Sequence, residues 1–196
     1  MAFINNQTKE INCKIVYYGP PLCGKSTSLR YIASQVKDEK GKSAELVSLS
    51  TADHRTLYFD FIPISLGQIK GFKIRLHLYT VPGELAYQNA RKLISKGVDG
   101  VIFLADSQLE RLEQNLNSMV ELKEMLEEEG IEWEDFPLVL QYNKRDLPNA
   151  ILVSELRSLL NPRKVSEFET VATEGKGTME ALKSISSTVL KSFKKV

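Results

Sequence analysis

The chain has 196 residues, 42% hydrophobic and 26% charged, with 26 Lys and Arg set against 25 Asp and Glu for a net charge of +1. Those proportions are ordinary for a soluble globular protein, and the length supports one domain with a sizeable core over residues 1–196. The near-neutral balance gives no reason to expect nucleic acid as a partner, and no apolar run approaches the roughly 20 residues of a membrane span.

The N-terminus carries no signal peptide and has Ala2 where myristoylation needs Gly. Ile11 to Tyr18 is an apolar run that reads as a buried strand. Leu29, Ile32, Ala33 and Val36 recur at helical spacing after it. Charged residues from Lys37 to Lys42, with Gly41, read as a loop, and Glu45 to Leu49 as a short strand. A polar stretch, Ser50 to Thr56, precedes a strand from Leu57 to Ile64. Gly67 to Gly71 reads as the turn that joins this strand to another, Phe72 to Val81, in a hairpin.

Pro82-Gly83 breaks that strand, and Leu85 to Lys96 follows as a helix ended by Gly97. Val98 to Ala105 is almost continuously apolar, the pattern of a strand covered on both faces. Leu109, Leu112, Leu116, Met119 and Leu126 mark one face of a long helix stopped near Gly130. Trp133 lies among Glu127, Glu128, Glu129, Glu132, Glu134 and Asp135, and reads as a loop aromatic packed on its own domain. Leu138 to Tyr142 is a strand, Val153 to Leu160 a short helix and Phe168 to Ala172 the last strand. Met179, Leu182, Ile185, Val189 and Phe193 form the stripe of a C-terminal helix. The end, Phe193 to Val196, has no prenylatable Cys, so membrane contact is expected only through a partner. Alternating strands and helices imply an α/β fold with a mostly parallel sheet. Cys13 and Cys23 make neither a disulfide framework nor a metal site, and a reducing, cytoplasmic compartment is expected.

Between the first strand and the first helix stands Gly19-Pro20-Pro21-Leu22-Cys23-Gly24-Lys25-Ser26, which fits G-x-x-x-x-G-K-[ST]. Such a loop cradles a phosphate chain. Backbone N–H groups from Gly19, Leu22, Cys23 and Gly24 through Thr27 supply donors, and the helix that starts near Lys25 adds its positive end. The Lys25 ammonium is placed to reach the β- and γ-phosphates, and the Ser26 hydroxyl to bind a bridging Mg²⁺.

Asn143-Lys144-Arg145-Asp146 follows the strand Leu138–Tyr142 and matches N-K-x-D. Guanine presents two adjacent donors, N1–H and the exocyclic amine, and the Asp146 carboxylate accepts both, whereas adenine has no such pair. Lys144 would lay its stem along the base, and Asn143 would tie this loop to the phosphate loop. A third stretch, Val171 to Lys176, offers the backbone of Ala172 and Thr173 to the guanine carbonyl.

These residues resemble the Ras-like small GTPases, and more closely the bacterial MglA-type polarity and gliding-motility GTPases. The stretches that carry the likeness are Asn12 to Pro20, Arg55 to Phe61, Leu76 to Gly83 and Gln141 to Pro148. The Thr80-Val81-Pro82-Gly83 segment, in place of Asp-x-x-Gly, is the most family-specific of them. The resemblance implies a P-loop NTPase of the Ras-like G-domain type, with a six-stranded, mostly parallel sheet and helices on both faces. It also implies bound GTP or GDP with Mg²⁺, a monomer, and partners that include a roadblock-type activator and polar or motility scaffolds at a cell pole.

By the same resemblance Thr56 is the switch threonine on Mg²⁺, Arg55 an internal arginine finger, and Gly83 the end of the γ-phosphate sensor. Thr80 stands where a carboxylate is usual, with Asp60 as an alternative contact through water. Glu84 replaces the water-positioning Gln, and Pro21, which has no N–H, replaces a Gly. The expected activity is a GTP-dependent switch with slow hydrolysis. The other readings are a non-hydrolysing GTP-binding adaptor and an ATP-dependent kinase, the latter opposed by Asp146. His54 and His77 are isolated, His77 as a structural strand residue.

Overall fold

A computed structural model describes residues 3–37, 43–50, 56–82, 92 and 94–192. The strands are β1 (Phe3–Asn5), β2 (Glu10–Tyr18), β3 (Val47–Ser50), β4 (Thr56–Ile69), β5 (Phe72–Thr80), β6 (Gly100–Asp106), β7 (Leu138–Asn143) and β8 (Glu167–Glu169). The helices are α1 (Lys25–Gln35), α2 (Leu112–Glu128), α3 (Val153–Leu160) and α4 (Thr178–Ser192).

One sheet runs β3-β4-β5-β2-β6-β7-β8, with β1 pairing β2 beside it. The links β5-β2, β2-β6, β6-β7 and β7-β8 are parallel, and β3-β4, β4-β5 and β1-β2 antiparallel. The α/β class and mostly parallel sheet are as expected. The resemblance implies six strands and the reading of the residues names seven; among the described residues there are eight, β1 being new to both and β3 matching the short strand expected at Glu45 to Leu49. β1 is a three-residue strand folded back on β2, its turn held by Asn5 Oδ1 accepting from the Gln7 and Thr8 N–H groups at 3.0 and 3.1 Å. β3 is a four-residue edge strand.

Alternation along the strands builds two cores. Cys13, Ile15 and Tyr17 of β2, with Leu76 and Leu78 of β5 and Ile102 and Leu104 of β6, face α1 and α4. Val16 and Tyr18, with Val101, Phe103, Leu138, Leu140 and Tyr142, face α2 and α3. All seven residues of β6 and all six of β7 are buried, in keeping with the nearly continuous apolar run of β6, whereas β7 buries Gln141 and Asn143 along with its apolar residues. On α4 the buried stripe is Ala181, Leu182, Ile185 and Val189, and each large aliphatic side chain there contributes about 1.5–3 kcal/mol by burial. Phe193, expected on this stripe, lies outside the described residues.

Several boundaries shift for local reasons. β4 continues through Ile69, with an irregular register between Ser65 and Gln68, so the turn shrinks to Lys70-Gly71. Both turn residues have positive φ, 50° and 83°, as a two-residue hairpin turn requires. Leu109 belongs to a 3-10 turn, Leu109–Arg111, and is 60% exposed, so the helix face begins only at Leu112. Of the expected helix 85–96, Lys92, Ile94 and Ser95 are helical, and Gly97 follows at φ 69°. β8 ends at Glu169 rather than Ala172: the Thr170 N–H makes the last ladder bond, to Tyr142 O at 2.8 Å, and the next two N–H groups turn away, Val171 to Lys176 O and Ala172 to Asn143 Oδ1. Trp133 packs on its own domain, with the Arg163 guanidinium 4.9 Å from its ring centroid.

Ile185 stands fully buried between α4 and the sheet. Ile185→Ala is expected to lower unfolding stability by roughly 2–5 kcal/mol, measured by urea titration, with the denaturant slope unchanged.

Candidate functional site

Four parallel strands, β2, β6, β7 and β8, end on the same side of the sheet. β2 lies between β5 and β6, and the strands before and after β6 in the chain lie on opposite sides of β2, so a crevice opens at the carboxyl ends where the order diverges. The phosphate-loop motif leaves β2 at this place.

Its glycines are demanded by contact. A Cβ on Gly19, at φ 137°, would lie 2.2 Å from Leu104 O, and one on Gly24, at φ 108°, 2.2 Å from Asn143 Nδ2. Leu22 adopts φ 61° without being glycine and is 61% exposed. Left-handed backbone costs a β-carbon-bearing residue roughly 1–2 kcal/mol, and nothing in the motif announces it. Gly24 caps α1, and Lys25 begins the helix. The Lys25 ammonium, 7% exposed, donates to Gly19 O at 2.8 Å and Pro20 O at 2.7 Å, and lies 3.6 Å from Cys23 Sγ. None of the ion pairs among the described residues includes it. A buried cation held by two carbonyls and one weak sulfur contact fits an anionic ligand, which would replace the sulfur. Burial pushes the Cys23 thiol pKa up, with the Lys25 ammonium opposing, so Cys23 is not an activated nucleophile.

Asn143 joins three segments. Its Nδ2 donates to Cys23 O at 2.7 Å, and its Oδ1 accepts from the Ala172 N–H at 3.0 Å and the Thr170 hydroxyl at 3.1 Å. The expected tie between the two motifs is present. Thr170 is a member that sequence reasoning missed, since its only signal is its place at a strand end. Beside this junction opens a cavity of about 250 Å³. It is lined by Leu22, Gly24 and Thr27 from the first motif, by Asn143, Lys144, Asp146 and the unforeseen Leu147 from the second, and by Ala172 and Thr173 from the third. Pro21 and Ser26 are half-buried in the same loop and helix start.

Thr80 and Asp60 meet across β5 and β4. The Thr80 hydroxyl donates to Asp60 Oδ2 at 3.0 Å and accepts from the Asp60 N–H at 2.8 Å, while Ser48 donates to Asp60 Oδ1. Both are buried, and neither lines the cavity. Thr56 opens β4 opposite Ser50. His54, Arg55, Gly83 and Glu84 lie outside the described residues. His77 is structural: its Nε2 is 2.9 Å from Asn12 Oδ1, its ring stacks on Phe61, and burial lowers its pKa. Cys13 and Cys23 are both free and buried, and burial pushes the Cys13 thiol up to about 12. Among the described residues no helix is long and apolar enough to cross a membrane.

The family model described as the ADP-ribosylation factor family matches residues 3–189. The mutual gliding-motility protein MglA of Myxococcus xanthus (strain DK1622) is 55% identical over 196 residues, covering 100% of this chain and 99% of that protein. ADP-ribosylation factor-like protein 6 of Caenorhabditis elegans is 26% identical over 188 residues, 93% of this chain and 88% of its own. ADP-ribosylation factor-like protein 4A of Homo sapiens is 26% identical over 137 residues, 66% and 65% of the two chains. A phosphate loop at the switch point, a guanine-type motif bonded to it through Asn143, and a match along nearly the whole chain lead to one assignment: the protein belongs to the ADP-ribosylation factor family, as an MglA-type Ras-like small GTPase.

Proposed function

We propose that this GTP-binding switch controls cell polarity or gliding motility by changing partners with its nucleotide state, and that it hydrolyses GTP slowly. The observation that carries the nucleotide assignment is the Asn143 junction and the cavity beside it, where three separate stretches of the chain converge. The motility role rests on the name of the Myxococcus relative. On this reading a roadblock-type activator and polar scaffolds are its partners, and a cytoplasmic monomer is recruited to a pole.

In this reading the backbone from Gly19 to Thr27 holds the phosphates, and Lys25 offsets negative charge that grows on them. The Ser26 and Thr56 hydroxyls would hold Mg²⁺, which when bound would neutralise negative charge on the phosphates. Arg55 stabilises charge in the transition state, a contribution of ~10³ or more when it is well placed. Glu84 accepts from the attacking water but cannot donate as an amide would. Pro21 removes one N–H from the loop near the γ-phosphate. Those two substitutions are the reason to expect slow turnover. Gly83 follows the γ-phosphate and Asp146 accepts both guanine donors, with Lys144 along the base and the Ala172 and Thr173 backbone at the guanine carbonyl.

Three measurements test this reading. Single-turnover GTP hydrolysis is expected to be slow alone and to rise when a roadblock-type protein is added, and Arg55→Ala is expected to abolish the stimulated rate. Bound GTP with no turnover under either condition would make the protein a non-hydrolysing adaptor. Gly24→Ala forces a β-carbon onto Asn143, so calorimetry should show GDP affinity reduced at least about tenfold, from backbone strain together with the displaced junction. Asp146→Asn replaces an acceptor pair with one acceptor and one donor. It is expected to weaken GDP and strengthen binding of xanthosine diphosphate, whose 2-oxo group accepts where guanine donates. A variant with unchanged base preference would remove Asp146 from the base site.

A further inference from the structure

We propose that Asp106 is a positioning residue for the guanine loop: its buried carboxylate holds the Lys144 ammonium and thereby sets the side chain that lies along the base. The inference rests on the guanine reading of the cavity, and it concerns a residue that belongs to none of the motifs.

Asp106 is the last residue of β6 and has no solvent exposure. It pairs in register with Asn143, so Lys144 is the first residue beyond the paired end of β7. Lys144 Nζ lies 2.6 Å from Asp106 Oδ2, with a longer contact of 3.4 Å to Gln108 Oε1. The Gln108 N–H donates to Asp106 Oδ1 at 3.2 Å. Asp106 is itself clamped from α2. Its N–H donates to Asn115 Oδ1 at 2.9 Å, and Asn115 Nδ2 donates back to Asp106 O at 2.8 Å. Asn115 has no solvent exposure either. One buried amide therefore fixes the backbone of the residue that fixes Lys144.

The anchorage matters because Lys144 is awkwardly placed. Its backbone has φ 65°, a conformation an L side chain rarely adopts. Lysine also carries a long, rotamer-rich stem that a single surface contact does not order. Here the ammonium is drawn to a buried carboxylate that needs a cation, while the side chain stays 26% exposed along the cavity. With the ammonium held and the Lys144 carbonyl accepting from the Leu147 N–H at 3.2 Å, the methylenes between are preorganised for a flat base. The roles are asymmetric. Removing Lys144 strands a buried anion, whereas Asp106→Asn neutralises it and frees a lysine that water can still solvate.

The test is a double-mutant cycle on release of mant-GDP from wild type, Asp106→Asn, Lys144→Ala and the double variant. The melting temperature of each nucleotide-free protein is recorded alongside. Asp106→Asn is expected to speed release about tenfold, the loss of one charge-assisted contact, and to add nothing in the Lys144→Ala background. Release from Asp106→Asn at the wild-type rate, or effects of the two changes that multiply independently, would overturn the proposal while leaving the guanine reading intact. Wild-type protein that holds no mant-GDP would sink the guanine reading and this inference with it. Should Asp106→Asn not fold, the lysine ammonium signals of GDP-bound wild type, assigned with Lys144→Arg, decide the matter. A slowly exchanging Lys144 ammonium supports the ion pair, and one exchanging as fast as the surface lysines overturns it.

Discussion

The site depends on one buried side-chain amide. Asn143 uses both ends of its carboxamide, donating to the phosphate loop through Cys23 O and accepting from the stretch after β8 through Ala172 N–H. These contacts join residues 120 and 29 positions apart in the chain. Because Asn143 is 2% exposed, the bonds form away from competing water, and losing one would leave a buried polar group unpaired. Gly24 is the counterpart of this constraint: the amide nitrogen lies where its side chain would be. The phosphate loop and the guanine loop are thus one unit.

The sheet makes that unit possible. Parallel strands carry their loops to a common end, and four of them deliver the phosphate loop, Asp106, Asn143 and the turn after Glu169 to the same crevice. The central strands are buried on both faces, so their ends are held by packing rather than by the loops themselves. Asn115 shows the same logic on α2. A helix of the second layer reaches the end of β6 and clamps it through two hydrogen bonds. In contrast, the Thr80–Asp60–Ser48 cluster is held within β5, β4 and β3, on the antiparallel side of the sheet.

Much of this was legible in the residues, for identifiable reasons. The nearly continuous apolar run of β6 and the stripe of α4 follow from hydrophobic patterning, which is local. The two motifs are short contiguous spacings, so Gly19, Gly24, Lys25, Asn143 and Asp146 were visible as candidates before any fold was known. What escaped was set by distant contacts or by conformation. β1 is too short to carry a period, and Leu109 fits the helical spacing yet sits on a 3-10 turn. The end of β8 differs because Val171 and Ala172, apolar enough to extend a strand, give their N–H groups to Lys176 O and the Asn143 side chain instead of to β7. Leu22 at φ 61° carries no mark in its residue type at all.

The sequence by itself determined the alternation of strands and helices, the chemistry of an anion-binding loop and the guanine-type carboxylate. Each of these depends on residue type and on spacing over a few positions. Only the tertiary structure decided that Asn143 bonds Cys23, that Lys144 meets Asp106 at 2.6 Å, and that Thr80 and Asp60 bind each other. Those are pairings between residues far apart in the chain. Their geometry comes from strand order and register, which the packing of two cores on one twisted sheet selects and no local pattern encodes.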